Sequence, residues 1–543
     1  MGVPSSTGPQ ATLGKALANV PYVYKFCQEL RLPALINEII PPNARTDQVI
    51  PFGELITALV VNRLTDPRPL YWVAEWARES GLEYYSPASA EVLNDDRLAR
   101  ALDRLEPYCF DLQEAFILEL VARYEIDPAV IHYDITSIYF EGEYEQVEWI
   151  TLGYSRDQKS NKVQTNLALN VTDAEALPVL WSILPGNTND TSTVIENLNR
   201  LKTRFPRVSI IHIGDRAMFS LDIYRHAHQA QIDLVAPLKN GTEVKMLLEQ
   251  IVVDDLPLVR YEEGTTTIHY RLGEYELALD PTGALPPLRA LVVWSKNKAE
   301  QEGRQREKKI TQRRQALTEL QTKLNQPYYR TKKTINKKLT RIMGQDPVNE
   351  GFTVVLGGVD RALTLEVQEA EVVWEAQSQH DGLYILVTTL FVEDYDSWTV
   401  FDLYKRQNGV EWRFRTLKHP LKIRPLFVHR PERVRALVFI IMLALVIYSA
   451  LELVLHRQQI VLTPQRLFQR LQGMVLMQVR LPDQSLHFLL SPADPNELAL
   501  LQALGWQDVR EWVLQRVQQR FKHLEAPRSR TNQTRWNMKL DLL

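Results

Sequence analysis

Two aspartates stand at predicted buried strands, where an ionised carboxylate is costly unless it is paired. Asp134 lies within Ile131–Phe140, a β-branched and aromatic run that predicts a buried strand. Asp215 follows a second apolar run, residues 208–213, that stops at Gly214. A carboxylate inside a strand, as at Asp134, is either capped by hydrogen-bond donors or held against a metal ion. Both interpretations are open from these residues alone.

A third carboxylate, Glu411, belongs to a helix predicted over Ser397–Leu417. At about 100° per residue, five polar side chains of this helix fall within an arc of roughly 80°. They are Tyr404, Gln407, Glu411, Arg415 and Lys418. The alternative is a solvated surface with Glu–Arg pairing four residues apart. The heavily apolar adjoining segments favour a helix packed within the fold.

Asp134, Asp215 and Glu411 make a candidate carboxylate triad. Hard oxygen ligands without a His or Cys partner suit Mg²⁺ or Mn²⁺ rather than zinc. Two such ions about 3.5 to 4 Å apart would flank a phosphodiester. One would activate a water or a 3′-hydroxyl as nucleophile, and the other would stabilise the leaving oxygen in an in-line displacement.

The elements that must position these residues alternate between strands and helices from residue 127 onward. Strands are predicted at Ile131–Phe140, Val163–Val171 and Leu177–Leu184, followed by a helix, a strand, a helix and a strand ending at Leu238. This order predicts an α/β fold with a mixed sheet and helices over it. Ligands of open α/β sheets bind at the carboxyl ends of neighbouring strands, so the two aspartates would meet there if their strands are neighbours.

A chain of 543 residues is too long for a single core. We expect a helical N-terminal domain (1–125), a catalytic core in two parts (126–240 and 379–456), an insertion domain (241–378) and a helical C-terminal region (457–543). The short N-terminal helices, with Arg97, Arg100 and Arg104 on one side, suit a helix-turn-helix-like DNA module. A helical packing domain with solvated arginines is the alternative, and both remain open.

The insertion contains a strongly basic segment from Lys296 to Arg341. Fifteen Lys and Arg stand there against four Glu, a net +11 in a chain of net charge -3. A solvated helical face is the alternative. However, this concentration of positive charge in a chain whose net charge is negative favours contact with a phosphate backbone. The residues predicted to make it are Lys308, Lys309, Arg313, Arg314, Lys332 and Lys333.

Composition and apolar runs predict the cellular compartment of the protein and whether it binds a membrane. Cys27 and Cys109 are too few for a disulfide framework and fit a reducing cytoplasm. The N-terminus lacks the basic start and apolar run of a signal peptide. Ala436–Leu451 carries no charge, yet it is shorter than the roughly 18 to 20 residues of a membrane span. We interpret it as a helix buried in a soluble domain and expect no membrane partner.

Several of these stretches resemble the DDE transposases of bacterial insertion sequences, in the group with a Tyr-Arg-Glu-Lys signature and an insertion before the catalytic Glu. The matching pieces are Tyr133–Ser137, Gly214–Ser220 and Tyr404–Lys418, with further similarity at Leu152–Asp157 and Leu184–Asp190. The signature spacing holds at Tyr404, Glu411 and Lys418, whereas the signature's Arg is Gln407 here.

The resemblance implies a ribonuclease-H-like core that the β-rich and basic helical insertion interrupts. It implies two Mg²⁺ or Mn²⁺ ions held by the triad, cleavage of double-stranded DNA at element ends, and strand transfer into target DNA. Tyr404, Gln407, Arg415, Lys418 and Arg216 would contact that DNA. It also implies a homodimer on paired ends and action in the cytoplasm, at the nucleoid. The apolar helix faces between Thr463 and Phe521 are the candidate dimer interface.

Two other classes stay open from the sequence. One is a domesticated or decayed derivative that binds DNA without cutting it. The other is a carboxylate-pair hydrolase such as a glycosidase, which needs neither a metal nor a basic insertion.

Overall fold

The computed structural model of the chain describes residues 10–140, 144, 147–153, 162–239, 241–263, 266–424, 428–481 and 485–525. Of the stretches that carry the family resemblance, residues 154–157 lie outside this range. The chain forms two compact units, Met1–Ile210 with Gln407–Leu543, and Ile211–Arg406. The predicted division into five regions stays a prediction.

The N-terminal part is mainly helical. Its elements are β1 (Gln10–Ala16), α1 (Val20–Glu29), α2 (Leu32–Ile39), α3 (Phe52–Thr65), α4 (Val73–Glu79), α5 (Asp95–Leu105) and α6 (Cys109–Arg123). The side chain of Asn94 accepts a 3.0 Å hydrogen bond from the backbone N–H of Arg97 and so caps α5, as its position before Asp95 and Asp96 predicts.

The α/β alternation follows in the predicted order. It comprises β2 (Val130–Tyr139), β3 (Gln164–Thr172), β4 (Pro178–Pro185), α7 (Asp190–Arg204), β5 (Ile210–Gly214), α8 (Leu221–Ala230) and β6 (Ile232–Pro237). In the first unit β4, β3 and β2 are consecutive antiparallel neighbours. The mixed α/β class and the predicted order of strands and helices are confirmed.

The second unit contains further sheet strands and the insertion. Its elements after β6 are α9 (Thr242–Leu248), β7 (Leu258–Glu263), β8 (Thr266–Leu277), β9 (Leu288–Ser295), α10 (Lys296–Lys323), α11 (Lys332–Met343), β10 (Phe352–Val359), β11 (Ala362–Glu369), α12 (Glu371–Ser378), β12 (Leu383–Thr388) and α13 (Ser397–Lys405). Within this unit the sheet runs β5-β6-β12-β9-β8-β7. The hairpin β10–β11 packs with α10, α11 and α12 around small apolar clusters that include Leu317, Ile335, Phe352 and Trp374.

The C-terminal part returns to the first unit. Its elements are α14 (Asn408–Lys418), α15 (Pro431–Arg457), α16 (Pro464–Arg470), β13 (Val475–Arg480), β14 (Leu486–Leu490), α17 (Pro495–Leu504) and α18 (Val509–Glu525). β1 pairs with β13 and β13 with β14, all antiparallel. This small sheet, which pairs a strand of the N-terminal part with one of the C-terminal part, adds strands to regions that the sequence predicts as helical.

The uncharged run Ala436–Leu451 is the centre of α15, a helix long and apolar enough to cross a membrane by length and composition. Of its most apolar window, 89% is buried. The helix packs against α3, α5, α6 and β4 of its own unit. The interpretation as a core helix is therefore confirmed by its burial.

The predicted dimer interface in the C-terminal region is wrong for most of its residues. Leu467, Leu471, Leu501 and Leu504 are buried within the chain, whereas Leu498 is 53% exposed. The apolar faces of these helices are used to build the first unit itself, so they do not offer a free surface to a second subunit.

Candidate active site

Asp134 lies in the middle of β2, between side chains that are removed from solvent. Tyr133 and Ile135 are buried, whereas the Asp134 side chain is partly exposed. Its Oδ1 accepts a hydrogen bond from the backbone N–H of Ile135 at 2.7 Å. In the register of the β2–β3 pair, Asp134 stands opposite Leu169. A strand that is otherwise buried thus presents one carboxylate toward solvent.

Glu411 lies in the first turn of α14, and its side chain is exposed. α14 packs against β2, β3 and α15. The helix of Glu411 and the strand of Asp134 are therefore neighbours within one unit. In the described part of the chain, the Glu411 carboxylate makes no hydrogen bond or ion pair. Its charge is consequently available to a ligand.

A buried arginine that was not among the predicted site residues anchors α14. Arg413 is 4% exposed and forms an ion pair with Glu452 of α15. Its Nε donates to the carbonyl oxygen of Ala176 at 2.6 Å, and its Nη2 donates to that of Glu175 at 2.9 Å. Both carbonyls belong to the β3–β4 turn, so Arg413 ties the helix of Glu411 to the sheet.

The sequence contained one signal for this role. Val410, Phe414 and Leu417 form the buried face of α14, and Arg413 lies on that same face. A single arginine on an otherwise apolar helix face must find acceptors inside the protein, because a buried unpaired charge is costly.

Asp215 belongs to the second unit and directly follows β5. Its side chain accepts a hydrogen bond from the backbone N–H of Ala217 at 2.8 Å, and its carbonyl accepts one from the N–H of Met218 at 2.9 Å. The resulting turn packs against β6. The Asp215 carboxylate is partly exposed, and the neighbouring Arg216 is exposed. The predicted contact of Arg216 with DNA stays a prediction.

The single helix predicted over Ser397–Leu417 is wrong. α13 and α14 are separate helices with Arg406 and Gln407 between them. Asn408 and Gly409, which directly follow this point, have weak helix propensity. In addition, Gly409 allows a close approach to the β3–β4 turn, where an added Cβ would lie 3.1 Å from Cβ of Ala176.

The break divides the signature residues between two helices. Tyr404 lies on α13 in the second unit, and Gln407 stands at the N-terminus of α14. Glu411, Arg415 and Lys418 follow on α14. The predicted common helix face is therefore wrong for Tyr404, whereas the DNA contacts of these side chains stay predictions.

Arg415 is exposed and lies over an aromatic ring. Its Cζ is 4.5 Å from the ring centroid of Trp412, which is 58% exposed. Within the described residues no ion pair joins Arg415 to Glu411, so the alternative of Glu–Arg pairing four residues apart is not seen. The other nearby arginine, Arg406, pairs with Asp402.

The three carboxylates fit a divalent metal by donor type, since hard oxygen atoms suit Mg²⁺ or Mn²⁺. Over the residues that the structure describes, no group of three or more His, Cys, Asp or Glu side chains is arranged to hold a metal ion. Asp134 and Glu411 lie on neighbouring elements of one unit, and Asp215 lies in the other. The metal site stays a prediction.

The predicted phosphate contacts of the insertion fall into two groups. Half of them are engaged within the insertion: Lys309 with Asp346 (2.9 Å), Arg313 with Asn349 (2.9 Å) and Arg314 with Glu369 (2.6 Å). Lys308, Lys332 and Lys333 are exposed and make no ion pair with a described residue. The α10 cations therefore contribute largely to the internal structure of the insertion.

The unpaired charge is concentrated on α11. Lys333, Lys337 and Arg341 follow one another at intervals of four residues, so they lie along one side of this helix. All three are exposed, and none has an ion-pair partner among the described residues. This row of cations on α11 is the part of the basic segment best suited to contact phosphates.

Two protein-family models match parts of the chain. A family model described as a transposase DDE domain matches residues 126–447, and one described as a domain of unknown function (DUF4277) matches residues 14–117. No curated protein matches the chain. Among solved structures, a piggyBac transposase synaptic complex with hairpin DNA is similar at 10% identity over 86% of this chain and 82% of that chain, with a TM-score of 0.41. A Mos1 transposase paired-end complex with the left transposon end is similar at 13% identity over 43% of this chain and 78% of that chain, with a TM-score of 0.15.

Proposed function

The chain belongs to the transposase DDE-domain family, and we propose that it cuts DNA at the ends of an insertion sequence and joins those ends to target DNA. The packing of the Glu411 helix against the Asp134 strand supports this proposal most directly. It places two acidic residues of the resemblance on neighbouring elements, each partly or fully exposed in a region that is otherwise well packed.

Asp134, Asp215 and Glu411 are the proposed catalytic carboxylates and metal ligands. When bound there, Mg²⁺ or Mn²⁺ would supply Lewis acidity for the attacking and leaving oxygen atoms of the phosphodiester. Asp134 and Asp215 each accept a hydrogen bond from a nearby backbone N–H, which fixes their rotamers. Arg413 fixes the helix of Glu411, so this carboxylate is held by a rigid element rather than by a loop.

DNA contacts are proposed for two groups of residues. Tyr404, Gln407, Lys418 and Arg216 are assigned to phosphates near the scissile bond, and Arg415 takes the place of the signature's Arg. A planar guanidinium suits a bidentate phosphate contact, and stacking on Trp412 pre-orients it. The row of cations on α11 is assigned to the backbone of the element end.

A homodimer on paired double-stranded DNA ends, in the cytoplasm at the nucleoid, is the proposed working state. It follows from the family resemblance, and a surface other than the buried leucines of α16 and α17 must form the contact. Light scattering of the protein with both element ends measures the assembly. Strictly monomeric complexes at saturating DNA would contradict the dimer.

The experiment that tests the function uses labelled duplexes taken from the DNA on either side of the coding sequence, where the ends of an insertion sequence lie. Metal-free protein is incubated with each duplex, first in chelator and then with Mg²⁺. We expect binding in both conditions and cutting with Mg²⁺ only. Binding without cutting would identify the inactive derivative, and cutting that persists in chelator would contradict the metal assignment.

A further inference from the structure

A pocket of about 560 Å³ in the first unit contains none of the three carboxylates. Its walls come from the end of α3, the loop that follows, the start of α5, the segment after α14 and the first turns of α15. Six of its lining side chains are Lys or Arg and one is acidic, in a chain whose net charge is -3. They are Arg63, Arg68, Lys422, Arg424, Arg430 and Arg433, with Asp95 as the acid.

Arg63 is the most unusual of these cations. It is 7% exposed, and its guanidinium makes no hydrogen bond or ion pair with any described residue. Burial lowers its pKa to about 10, which leaves the guanidinium charged at neutral pH. Its place in the last turn of α3 offers a favourable helix-dipole contact of about 0.3 to 1 kcal/mol. That is less than the several kcal/mol that a buried, unpaired charge costs.

The other cations surround the pocket in two ways. Lys422 and Arg430 are exposed and without an ion-pair partner among the described residues. Arg68 and Arg433 are held by carboxylates outside the pocket, at 2.7 Å from Glu79 and from Asp103 respectively. The lining therefore combines fixed and free positive charges around Arg63.

One of these cations links the pocket to the strand of the proposed catalytic aspartate. The Cζ of Arg424 lies 4.5 Å from the ring centroid of Tyr139. Tyr139 ends β2, the strand that contains Asp134. The pocket thus belongs to the same compact unit as Asp134 and Glu411.

The rest of the lining is apolar. Pro67, Pro69, Leu70 and Leu437 contribute to the walls, and Tyr71 is 53% exposed. An exposed aromatic side chain beside a cluster of cations is the combination that binds a nucleotide, since the ring stacks on a base while the cations hold the phosphate. A volume of about 560 Å³ lies in the range of small-molecule sites.

We propose that this pocket is a nucleotide-binding subsite that takes one DNA phosphate on Arg63 and stacks the attached base on Tyr71. That the nucleotide comes from DNA rests on the proposed function, whereas the phosphate site itself does not. A free nucleotide shares the same chemistry, and the two sources are separated by measurement.

The test measures binding of a fluorescein-labelled single-stranded oligonucleotide to the full chain by anisotropy in chelator, where no cutting occurs. Arg63→Met should weaken binding about tenfold, the loss expected for charge-assisted hydrogen bonds. It should also leave the unfolding temperature unchanged or raise it, because the buried unpaired charge is removed. The matched control is Arg78→Met on α4, an exposed arginine away from the pocket that should change neither quantity.

Three outcomes would overturn the proposal. Unchanged binding in Arg63→Met is one, and weaker binding accompanied by a fall in the unfolding temperature is another, since that fall marks a structural arginine. The third is competition by dAMP or inorganic phosphate at the concentration at which the oligonucleotide itself competes, which would assign the pocket to a free ligand. If Arg63→Met does not fold, Lys422→Ala with Arg430→Ala provides the same comparison from exposed positions. If the nucleotide-binding subsite is refuted in this way, the proposal of Mg²⁺-dependent DNA cutting is unaffected, because the binding test is done in chelator.

Discussion

Arg413 donates a hydrogen bond of 2.6 Å from its Nε to the carbonyl oxygen of Ala176, across more than 200 residues of sequence. This contact ties the helix of Glu411 to the β3–β4 turn. Because the guanidinium is buried and has three acceptors, removing it leaves two carbonyls and a carboxylate without their donor.

Arg413→Met should therefore lower the free energy of unfolding by about 2 to 4 kcal/mol. It should also reduce DNA cutting in protein that is still folded, because Glu411 is no longer held in place. Urea unfolding and cleavage assays measure the two effects. Arg415→Met, on the exposed side of the same helix, is the stability control, and equal unfolding curves for both variants would refute the anchoring role.

Arg415 and Arg406 provide a matched pair for the signature position that is Gln407 here. Arg415→Ala should cause a large loss of strand transfer, with a stability change of at most about 1 kcal/mol because its guanidinium no longer stacks on Trp412. Arg406→Ala should leave activity nearly unchanged, since this arginine is paired with Asp402. Equal strand transfer in the two variants would mean that Gln407, or no side chain, holds the phosphate.

The row of cations on α11 predicts a salt effect. Changing Lys333, Lys337 and Arg341 to Gln should flatten the dependence of log binding constant on log salt by about 0.9 for each DNA phosphate that the variant no longer neutralises. Stability should hardly change, because none of the three has an ion-pair partner among the described residues. Lys309→Gln with Arg314→Gln is the control, where we expect reduced stability and a smaller change of slope. An unchanged slope in the α11 variant would mean that these cations are solvated and do not contact DNA phosphates.

Asp47 and Arg104 predict a dependence of stability on pH. Two hydrogen bonds from Arg104, of 2.7 and 2.9 Å, lower the pKa of Asp47 to about 2. The stabilisation of the folded state by this ion pair is therefore complete above the unfolded-state pKa near 3.8. It is lost as the pH falls toward 2. Asp47→Asn should cost about 1 to 2 kcal/mol at pH 6, after allowance for solvent screening.

That difference between Asp47→Asn and the parent protein should shrink as the pH is lowered from 4 to 2. Asp222→Asn, whose ion pair with Arg225 is exposed, is the control and should have little effect at any pH. A loss of stability in Asp47→Asn that is the same at pH 6 and pH 3 would contradict the ion-pair explanation.

Local sequence patterns are enough to predict the strands that carry or precede Asp134 and Asp215. The β-branched run around Asp134 and the apolar run before Asp215 are both strands, because side chains of these types pack well on a buried sheet. The helix cap at Asn94 could also be predicted, because it depends on residues within one turn of helix.

What the sequence did not reveal depends on partners far along the chain. Gly409 comes close to Ala176 in the β3–β4 turn, and the role of Arg413 depends on carbonyls of that same turn. The pairing of β1 with β13 joins residues that are more than 400 positions apart in the sequence. The charge count of the insertion likewise could not show which cations are neutralised by Asp346 and Glu369.

We expect Glu411, with Asp134 and Asp215, to perform metal-dependent cutting of DNA. The most direct measurement compares Glu411→Gln with the parent protein in binding and in cutting of a labelled element end at saturating Mg²⁺. Glu432→Gln, an exposed glutamate on α15 without a partner among the described residues, is the matched control. We predict that Glu411→Gln binds the DNA normally but does not cut it, whereas Glu432→Gln does both. Cutting by Glu411→Gln at the parent rate, with the same dependence on Mg²⁺, would contradict this claim.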